Sequence, residues 1–201
     1  MSTESLVIDN IGSLITNDPA LGRGPLGIVE HASVVIDNDV VVEVGPAGAL
    51  ADRRIDAEGA CVLPGFVDSH SHLVFAGDRA EEFTARMAGK PYDGGGIQVT
   101  TDATRATPTP ALDALVRNRL AEAHRAGTTT IEIKSGYGLT VDDEARSVDI
   151  ARAHTPEATF LGAHLLPREF AGRADDYIGL VCNDMLGRVA GTAKWVDAFC
   201  E

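Results

Sequence analysis

Cysteine is scarce in this chain, since only Cys61, Cys182 and Cys200 occur among its 201 residues. They are too few and too scattered for a disulfide framework, and none lies in a Cys-x-x-Cys metal motif, so we expect buried thiols. Long apolar runs are also missing, because no stretch approaches the roughly 20 residues that span a bilayer. Residues 1–10 lack the basic region and apolar core of a signal peptide. These absences predict a cytoplasmic protein without a membrane partner.

Basic residues are few as well, with 17 Lys and Arg against 30 Asp and Glu and a formal net charge of -13. Binding to nucleic acid or to an acidic membrane surface needs Lys and Arg, so this balance argues against both partners. A small anionic substrate would need an arginine or lysine placed locally. With 44% apolar residues, the chain is long enough to bury the core of one domain or of two small ones.

The most informative stretch places two histidines at the end of an apolar run. Apolar residues between 62 and 67 flank a Pro-Gly pair, which is typical of a buried strand in a parallel sheet. His70 and His72 follow, and because successive strand side chains alternate between faces, both project to one side, about 7 Å apart. Two imidazoles so placed can bind one metal ion. From this spacing alone, two histidines on a polar strand end are the alternative.

The first sixty residues predict β structure. Apolar and polar residues alternate loosely over 5–16, as in a half-buried strand, and residues 17–30 are rich in glycine and proline and predict a loop. The β-branched runs 33–36 and 40–44 flank Asp37, Asn38 and Asp39, which predicts a hairpin. So small a β unit is marginal by itself, and we expect it to pack against other segments.

Beyond residue 63, strand and helix patterns alternate, as in a βα barrel or a doubly wound sheet. A helix is predicted from Thr109, with Pro110 at its first position, up to Gly127, and further helices over 141–153 and 175–190. Strands are predicted over 128–133, 158–163 and 195–200, which makes four with the histidine strand. A complete barrel has eight strands and typically ~250 residues. We therefore expect the first half of a barrel, with a four-stranded α/β domain as the alternative.

Residues 63–73, with the sequence Leu-Pro-Gly-Phe-Val-Asp-Ser-His-Ser-His-Leu, resemble the first-strand signature of the amidohydrolase superfamily. The resemblance implies an α/β fold in which residues 63–201 form the first half of a (β/α)₈ TIM barrel. Residues 1–62 would contribute to a small β-sandwich assembled from segments before and after the barrel. It also implies that His70 and His72 ligate one zinc or iron ion per chain, with the other ligands on later strands, and that the full-length protein is a homodimer.

Further motifs resemble one subfamily of these metal-dependent hydrolases, which opens a cyclic amide that carries a propionate. They lie, in order, at 72–83, 94–97 with 103–105, 134–139, 160–164 and 197–201. Hydrolysing a cyclic amide at neutral pH needs an activated water, and a metal held by imidazoles provides it by lowering the water's pKa to roughly 7. The segment before Gly94 is shorter than usual in the subfamily, and Ser69 replaces a more usual cysteine.

The resemblance assigns roles to further residues. Arg79 would bind the propionate, because a guanidinium fork suits a carboxylate better than a lysine does. Tyr137, in a glycine-flanked loop after the second strand, would donate a hydrogen bond to the substrate. His164, at the end of the third strand, would contact the substrate ring and serve catalysis. Without the resemblance, a solvated arginine, a packed loop aromatic and a structural histidine are the simpler interpretations.

Besides these residues, the sequence offers one glycine segment and two alternative functions. Gly94 to Gly96 are interpreted as a substrate-side loop that Arg105 helps to order. Another amidohydrolase, such as a deaminase of purines or guanidines, is disfavoured by Arg79, which suits a carboxylate. A truncated, inactive fragment is the second alternative, which a measurement of metal content would distinguish. Metal identity is left open, because zinc and iron both accept imidazole.

Overall fold

The computed structural model describes residues 4–89 and 95–200. The chain forms two compact units, one ending at Gly65 and the other beginning at Phe66. The first unit consists of strands, and the second alternates strands with helices. No helix within the described ranges is long and apolar enough to cross a membrane.

A single sheet makes up the first unit. Its strands are β1 (Leu6–Ile15), β2 (Ile28–Asp37), β3 (Val40–Pro46), β4 (Arg53–Asp56) and β5 (Cys61–Val62). The central strand β1 pairs antiparallel with β2 and parallel with β4 and β5, while β3 pairs antiparallel with β2. The buried apolar core of this sheet comprises Ile11, Leu14, Ala32 and Val34.

The hairpin predicted around residues 37–39 is confirmed. β2 and β3 pair antiparallel, with Asp37 opposite Val40. Asn38 and Asp39 have positive φ angles of 50° and 62°, which is the backbone of a two-residue type I′ turn. The predicted loop over 17–30 ends earlier than expected, because Ile28 already pairs with β1.

The second unit is built on a parallel sheet. Its strands are β6 (Phe66–Ser71), β7 (Thr128–Lys134), β8 (Ala158–Ala163) and β9 (Trp195–Ala198), in that order across the sheet. Its helices are α1 (Ala80–Met87), α2 (Gly95–Ala106), α3 (Thr109–Arg125), α4 (Val141–His154), α5 (Ala174–Leu180) and α6 (Leu186–Val189). A 3-10 turn, Arg168–Phe170, precedes α5, and a π-helical segment, Val181–Met185, joins α5 to α6. The predicted α/β class is confirmed.

Helices α3 and α4 pack on the sheet. Leu112 and Val116 of α3 are fully buried, and they share a core with Ile133 of β7 and Ala151 of α4. Burying each large apolar side chain contributes about 1.5–3 kcal/mol. A second core forms around Phe160 of β8 and the α5–α6 segment. Since strand side chains alternate, the other face of β7 carries its polar residues.

Two expectations about burial are wrong. The apolar run of the histidine strand is exposed, with Phe66 56% and Val67 68% accessible. β6 is the end strand of the described sheet, so within residues 4–89 and 95–200 it has a strand neighbour only on the β7 side. The three cysteines are likewise exposed instead of buried.

The glycine run also differs from the expected loop. α2 begins at Gly95, so Gly95 and Gly96 are helical, whereas Gly94 lies outside the described residues. Thr104 of α2 is buried, and its Oγ1 accepts the backbone N–H of Ala76 at 3.0 Å. Such tertiary contacts outweigh the low helix propensity of glycine.

Candidate metal and substrate site

The parallel strands bring most of the predicted site residues to one edge of the sheet. His70 lies near the end of β6 and His72 directly follows it, Tyr137 is in the segment after β7, and His164 follows β8. Because β6, β7 and β8 are parallel neighbours, their carboxyl ends meet at the same edge. The structure thus brings four residues together, although the first, His70, and the last, His164, are 94 positions apart in the sequence.

The rings of these four residues form one cluster. The ring centroids of His70 and His72 lie 5.4 Å apart in an edge-to-face arrangement. His72 stacks on His164 at 4.9 Å with the planes 16° apart. Tyr137 lies 5.5 Å from His72 and 5.2 Å from His164, again between centroids. We call these residues the ring cluster.

His72 is the more buried histidine of the pair. Burial lowers the pKa of His72 to about 4, and the positive charges that His164 and His70 can carry act in the same direction. His72 is therefore neutral at pH 7, the form in which imidazole binds a metal. Its Nδ1 is buried and has no hydrogen-bond partner within the described chain. This unsatisfied nitrogen beside a second imidazole fits the addition of a metal ion.

A metal ion at this place would need further ligands. Within the described residues, no group of three or more His, Cys, Asp and Glu side chains is arranged to hold a metal. Zinc sites use three or four protein ligands. His70 and His72 would therefore supply part of such a site, and the remaining ligands would come from outside the described ranges.

Tyr137 is carried by residues 134–139, which we call the tyrosine loop. The carboxylate of Glu144, fully buried in α4, accepts the backbone N–H groups of Gly138 and Leu139 at 2.8 Å and of Gly136 at 3.1 Å. Burial raises the pKa of Glu144, and its hydrogen bonds oppose that rise. Sequence reasoning missed Glu144, because an acidic residue in the first turn of a helix is common for reasons of helix polarity alone.

Arg105 of α2 holds the same loop from another side. Its Nε donates to the carbonyl oxygen of Gly138 at 2.6 Å, and its Nη2 pairs with Glu169 at 2.8 Å. Arg105 was expected to order the glycine segment 94–96, and the contact observed is with the tyrosine loop.

His164 is attached to the tyrosine loop through Gly136. Its Nδ1 lies 2.8 Å from the carbonyl oxygen of Gly136. Gly136 has a φ of 112°, and a Cβ there would lie 2.9 Å from His164 Nδ1. Both the backbone conformation and the close approach of the imidazole require glycine at this position.

Arg79 stands immediately before α1. Its Nε and Nη2 donate to the two carboxylate oxygens of Glu82, at 2.7 and 2.5 Å. The side chain is about one third exposed. Its guanidinium thus presents a fork of two N–H groups to a carboxylate, which is the geometry proposed for a substrate carboxylate. The substrate role of Arg79 stays a prediction.

A buried lysine on β7 lies near the ring cluster. Lys134, with 6% of its side chain exposed, contacts Glu132 Oε1 at 2.7 Å and Asp197 Oδ2 at 3.0 Å. Thr159 of β8 donates to the same oxygen of Glu132. Burial alone would lower the pKa of Lys134, but its carboxylate partners raise it above its ordinary value. Sequence reasoning missed this polar layer, although Glu132 and Lys134 alternate with Ile131 and Ile133 along β7.

Comparison with solved structures shows which known proteins share this fold. A triazine hydrolase from Arthobacter aurescens aligns with a TM-score of 0.53 and 20% identity, over 90% of this chain and 43% of that chain. A triazine hydrolase variant aligns with a TM-score of 0.50 over the same shares. At such identity the likeness concerns the fold alone. The chain therefore shares the fold of these hydrolases over most of its length.

Sequence comparison finds much more similar relatives. No protein-family model matches the chain. It is 63% identical over 199 residues to the imidazolonepropionase of Salinispora tropica and 55% identical over 199 residues to that of Mycolicibacterium smegmatis. Each alignment covers 98% of this chain and 50% of the relative. The chain is therefore imidazolonepropionase-like, as its motifs indicated, and it spans about half the length of the curated relatives it matches.

Proposed function

We propose that this chain is the N-terminal half of an imidazolonepropionase, which hydrolyses 4-imidazolone-5-propanoate to N-formimidoyl-L-glutamate. The observation that carries the proposal is the ring cluster at the carboxyl edge of a parallel sheet. In (β/α)₈ barrels the active site lies at that edge. Similarity to proteins named imidazolonepropionase over 98% of the chain supports the same activity.

In this proposal β6 to β9 are the first four strands of a barrel spanning residues 63–201. Both end strands expose large apolar side chains, Phe66 and Val67 on β6 and Trp195 and Val196 on β9. Exposed apolar side chains on end strands are expected where further strands and helices pack against them. Residues 1–62 would form part of a β-sandwich completed by a segment beyond the barrel.

The proposed reaction adds water to the ring carbonyl of a cyclic amide. The carbonyl carbon gains the water oxygen and becomes the new carboxylate, the C–N bond breaks, and a proton passes to the departing nitrogen. His70 and His72 would hold one zinc or iron ion, which when bound lowers the pKa of a water to roughly 7. Imidazole is a ligand for both metals, so the pair fits either one.

In this proposal His164 and Tyr137 bind the substrate ring beside the metal. His164 stacks on His72 at 4.9 Å, so a group near the metal is also near His164. Tyr137, 5.2 Å from His164 between ring centroids, brings a phenolic O–H to the same place. We assign His164 to the reacting ring, as catalytic and binding residue, and Tyr137 to a hydrogen bond with the substrate.

Arg79 would bind the propionate. It already binds a carboxylate, that of Glu82, through two parallel N–H groups. A substrate carboxylate would take over this fork or share the guanidinium with Glu82. The proposal further places the enzyme in the cytoplasm as a homodimer that acts on a small carboxylate, without nucleic acid or membrane partners.

The test is substrate turnover by the full-length enzyme. We expect it to convert 4-imidazolone-5-propanoate to N-formimidoyl-L-glutamate, and the chain of residues 1–201 alone to be inactive, because it lacks the other ligands. A purine and a guanidine without a carboxylate serve as comparison substrates. Release of ammonia from either one, without turnover of the propanoate, would replace this proposal by a deaminase.

A further inference from the structure

Glu144 is a buried carboxylate with an unusual number of backbone partners. Its side chain is 0% exposed, and its two oxygens accept N–H groups from three residues of the tyrosine loop. Oε1 accepts the N–H groups of Gly138 and Leu139, and Oε2 accepts the N–H group of Gly136. Ser135 contributes a side-chain hydrogen bond as well. One carboxylate therefore accepts three of the backbone N–H groups of this loop.

The helix start explains how Glu144 reaches the loop. Thr140 caps α4, since its Oγ1 accepts the N–H of Asp143 at 3.1 Å. Side chains in an α-helix tilt toward its N-terminus, so Glu144 in the first turn points back to the loop that precedes the helix. Asp142, in the same turn, is exposed. Two acidic neighbours on one helix thus face opposite environments.

The loop in turn determines the orientation of His164. The Gly136 carbonyl oxygen can only accept, so its 2.8 Å contact with His164 Nδ1 places a hydrogen on that nitrogen. With Nδ1 protonated, the neutral ring carries its lone pair on Nε2. The hydrogen-bond chain therefore runs from Glu144 through the peptide groups of Gly136 to His164.

We propose that Glu144 is a positioning residue that fixes the tyrosine loop and, through Gly136, holds His164 in the Nδ1–H tautomer with Nε2 as a hydrogen-bond acceptor. The inference deepens the proposed function and rests on it for the identity of the substrate. In this tautomer, Nε2 of His164 would accept a hydrogen bond from an N–H group, such as the ring N–H of a cyclic amide. A substrate that presents only acceptors to Nε2 would not be bound by this histidine.

The carboxylate form of the side chain is essential to this role. Both oxygens of Glu144 accept N–H groups, whereas a glutamine would turn an NH₂ donor toward at least one of them. Two donors facing each other in a buried site leave both unsatisfied. We therefore expect Glu144→Gln to loosen the tyrosine loop although the side chain keeps its size.

The first test needs no mutation of Glu144. In protein labelled with ¹⁵N at histidine, two-bond ¹H–¹⁵N correlations distinguish the two imidazole tautomers, and the His164 signal is assigned by its loss in His164→Gln. We expect the Nδ1–H tautomer at neutral pH in the full-length protein. An Nε2–H tautomer for His164 would overturn the proposal, whether or not any variant folds.

The second test compares Glu144→Gln with Asp142→Asn, a matched removal of one charge from the same helix turn. In Glu144→Gln we expect amide exchange at Gly136, Gly138 and Leu139 to accelerate at least about tenfold, as loss of a hydrogen bond to a charged group implies. We also expect His164 to show both tautomers. Asp142→Asn should leave both measurements as in the wild type.

The outcomes separate positioning from general structural support. Unchanged exchange and an unchanged tautomer in folded Glu144→Gln would overturn the proposal. Neither measurement uses substrate, so both stand if the full-length protein fails to hydrolyse 4-imidazolone-5-propanoate. Conversely, a mixed tautomer in Glu144→Gln with normal turnover of the wild type would support both conclusions.

Discussion

Replacing Gly136 by alanine tests the close packing between the tyrosine loop and His164. A Cβ at Gly136 would lie 2.9 Å from His164 Nδ1 and 3.1 Å from the carbonyl oxygen of Leu161. Real Cβ atoms essentially never come within 3.0 Å of another heavy atom, so either the imidazole or the loop must shift. The hydrogen bond from His164 to the Gly136 carbonyl would be distorted as a result.

Two effects determine how much Gly136→Ala lowers the free energy of unfolding. An alanine at a positive φ costs about 1–2 kcal/mol relative to glycine, and adding a methyl group to a packed site costs about 1–3 kcal/mol. For Gly136→Ala we therefore expect the free energy of unfolding to fall by about 2–5 kcal/mol. Gly172 is a matched control, because its φ is also positive, at 74°, and its added Cβ would meet nothing within 4 Å. Gly172→Ala should lower the free energy by only about 1–2 kcal/mol.

The assay is urea unfolding of the wild type and both variants, followed by circular dichroism. The prediction is a clearly larger loss of stability for Gly136→Ala, together with reduced turnover. Equal destabilisation by the two variants would refute the reasoning, since it would mean that only backbone conformation matters at Gly136 and that contact with His164 carries no weight.

Two further predictions concern substrate recognition in the full-length enzyme. Arg79→Met should lower kcat/KM for 4-imidazolone-5-propanoate about thirtyfold to several thousandfold, the effect of losing roughly 2–5 kcal/mol from a truncated charge pair, and Arg79→Lys should recover part of it. Arg117, which forms an exposed pair with Asp113, provides the control Arg117→Met, and equal kcat/KM in all of these would make Arg79 a surface residue. Tyr137→Phe should weaken substrate use with the metal content unchanged; loss of metal in this variant would instead make Tyr137 a structural support of the metal site.

The members of the ring cluster could be predicted from the sequence, because simple rules of strand geometry bring them together. Two histidines separated by one residue share a face of a strand whatever surrounds them. Parallel strands place their carboxyl ends at one edge, so residues that follow successive strands, such as Tyr137 and His164, are brought together. The hairpin at Asn38 and Asp39 followed from turn chemistry for the same reason.

The missed features depend on contacts between distant residues. β4 and β5 were not predicted, because Arg53–Asp56 is polar and short and is a strand only through its parallel pairing with β1. The exposure of Phe66 depends on what lies next to β6, which an apolar run does not encode. Glu144 was missed since nothing in Asp-Asp-Glu tells which of the three carboxylates turns inward.

Metal content of the full-length protein tests the central claim most directly. We predict about one zinc or iron ion per chain in the wild type and in His124→Ala, a change on α3 outside the ring cluster. In His70→Ala and His72→Ala we predict almost complete loss of the ion with the fold retained by circular dichroism, because each removes one of the imidazoles that hold it. Undiminished metal in both of these variants would contradict the assignment of His70 and His72 as ligands.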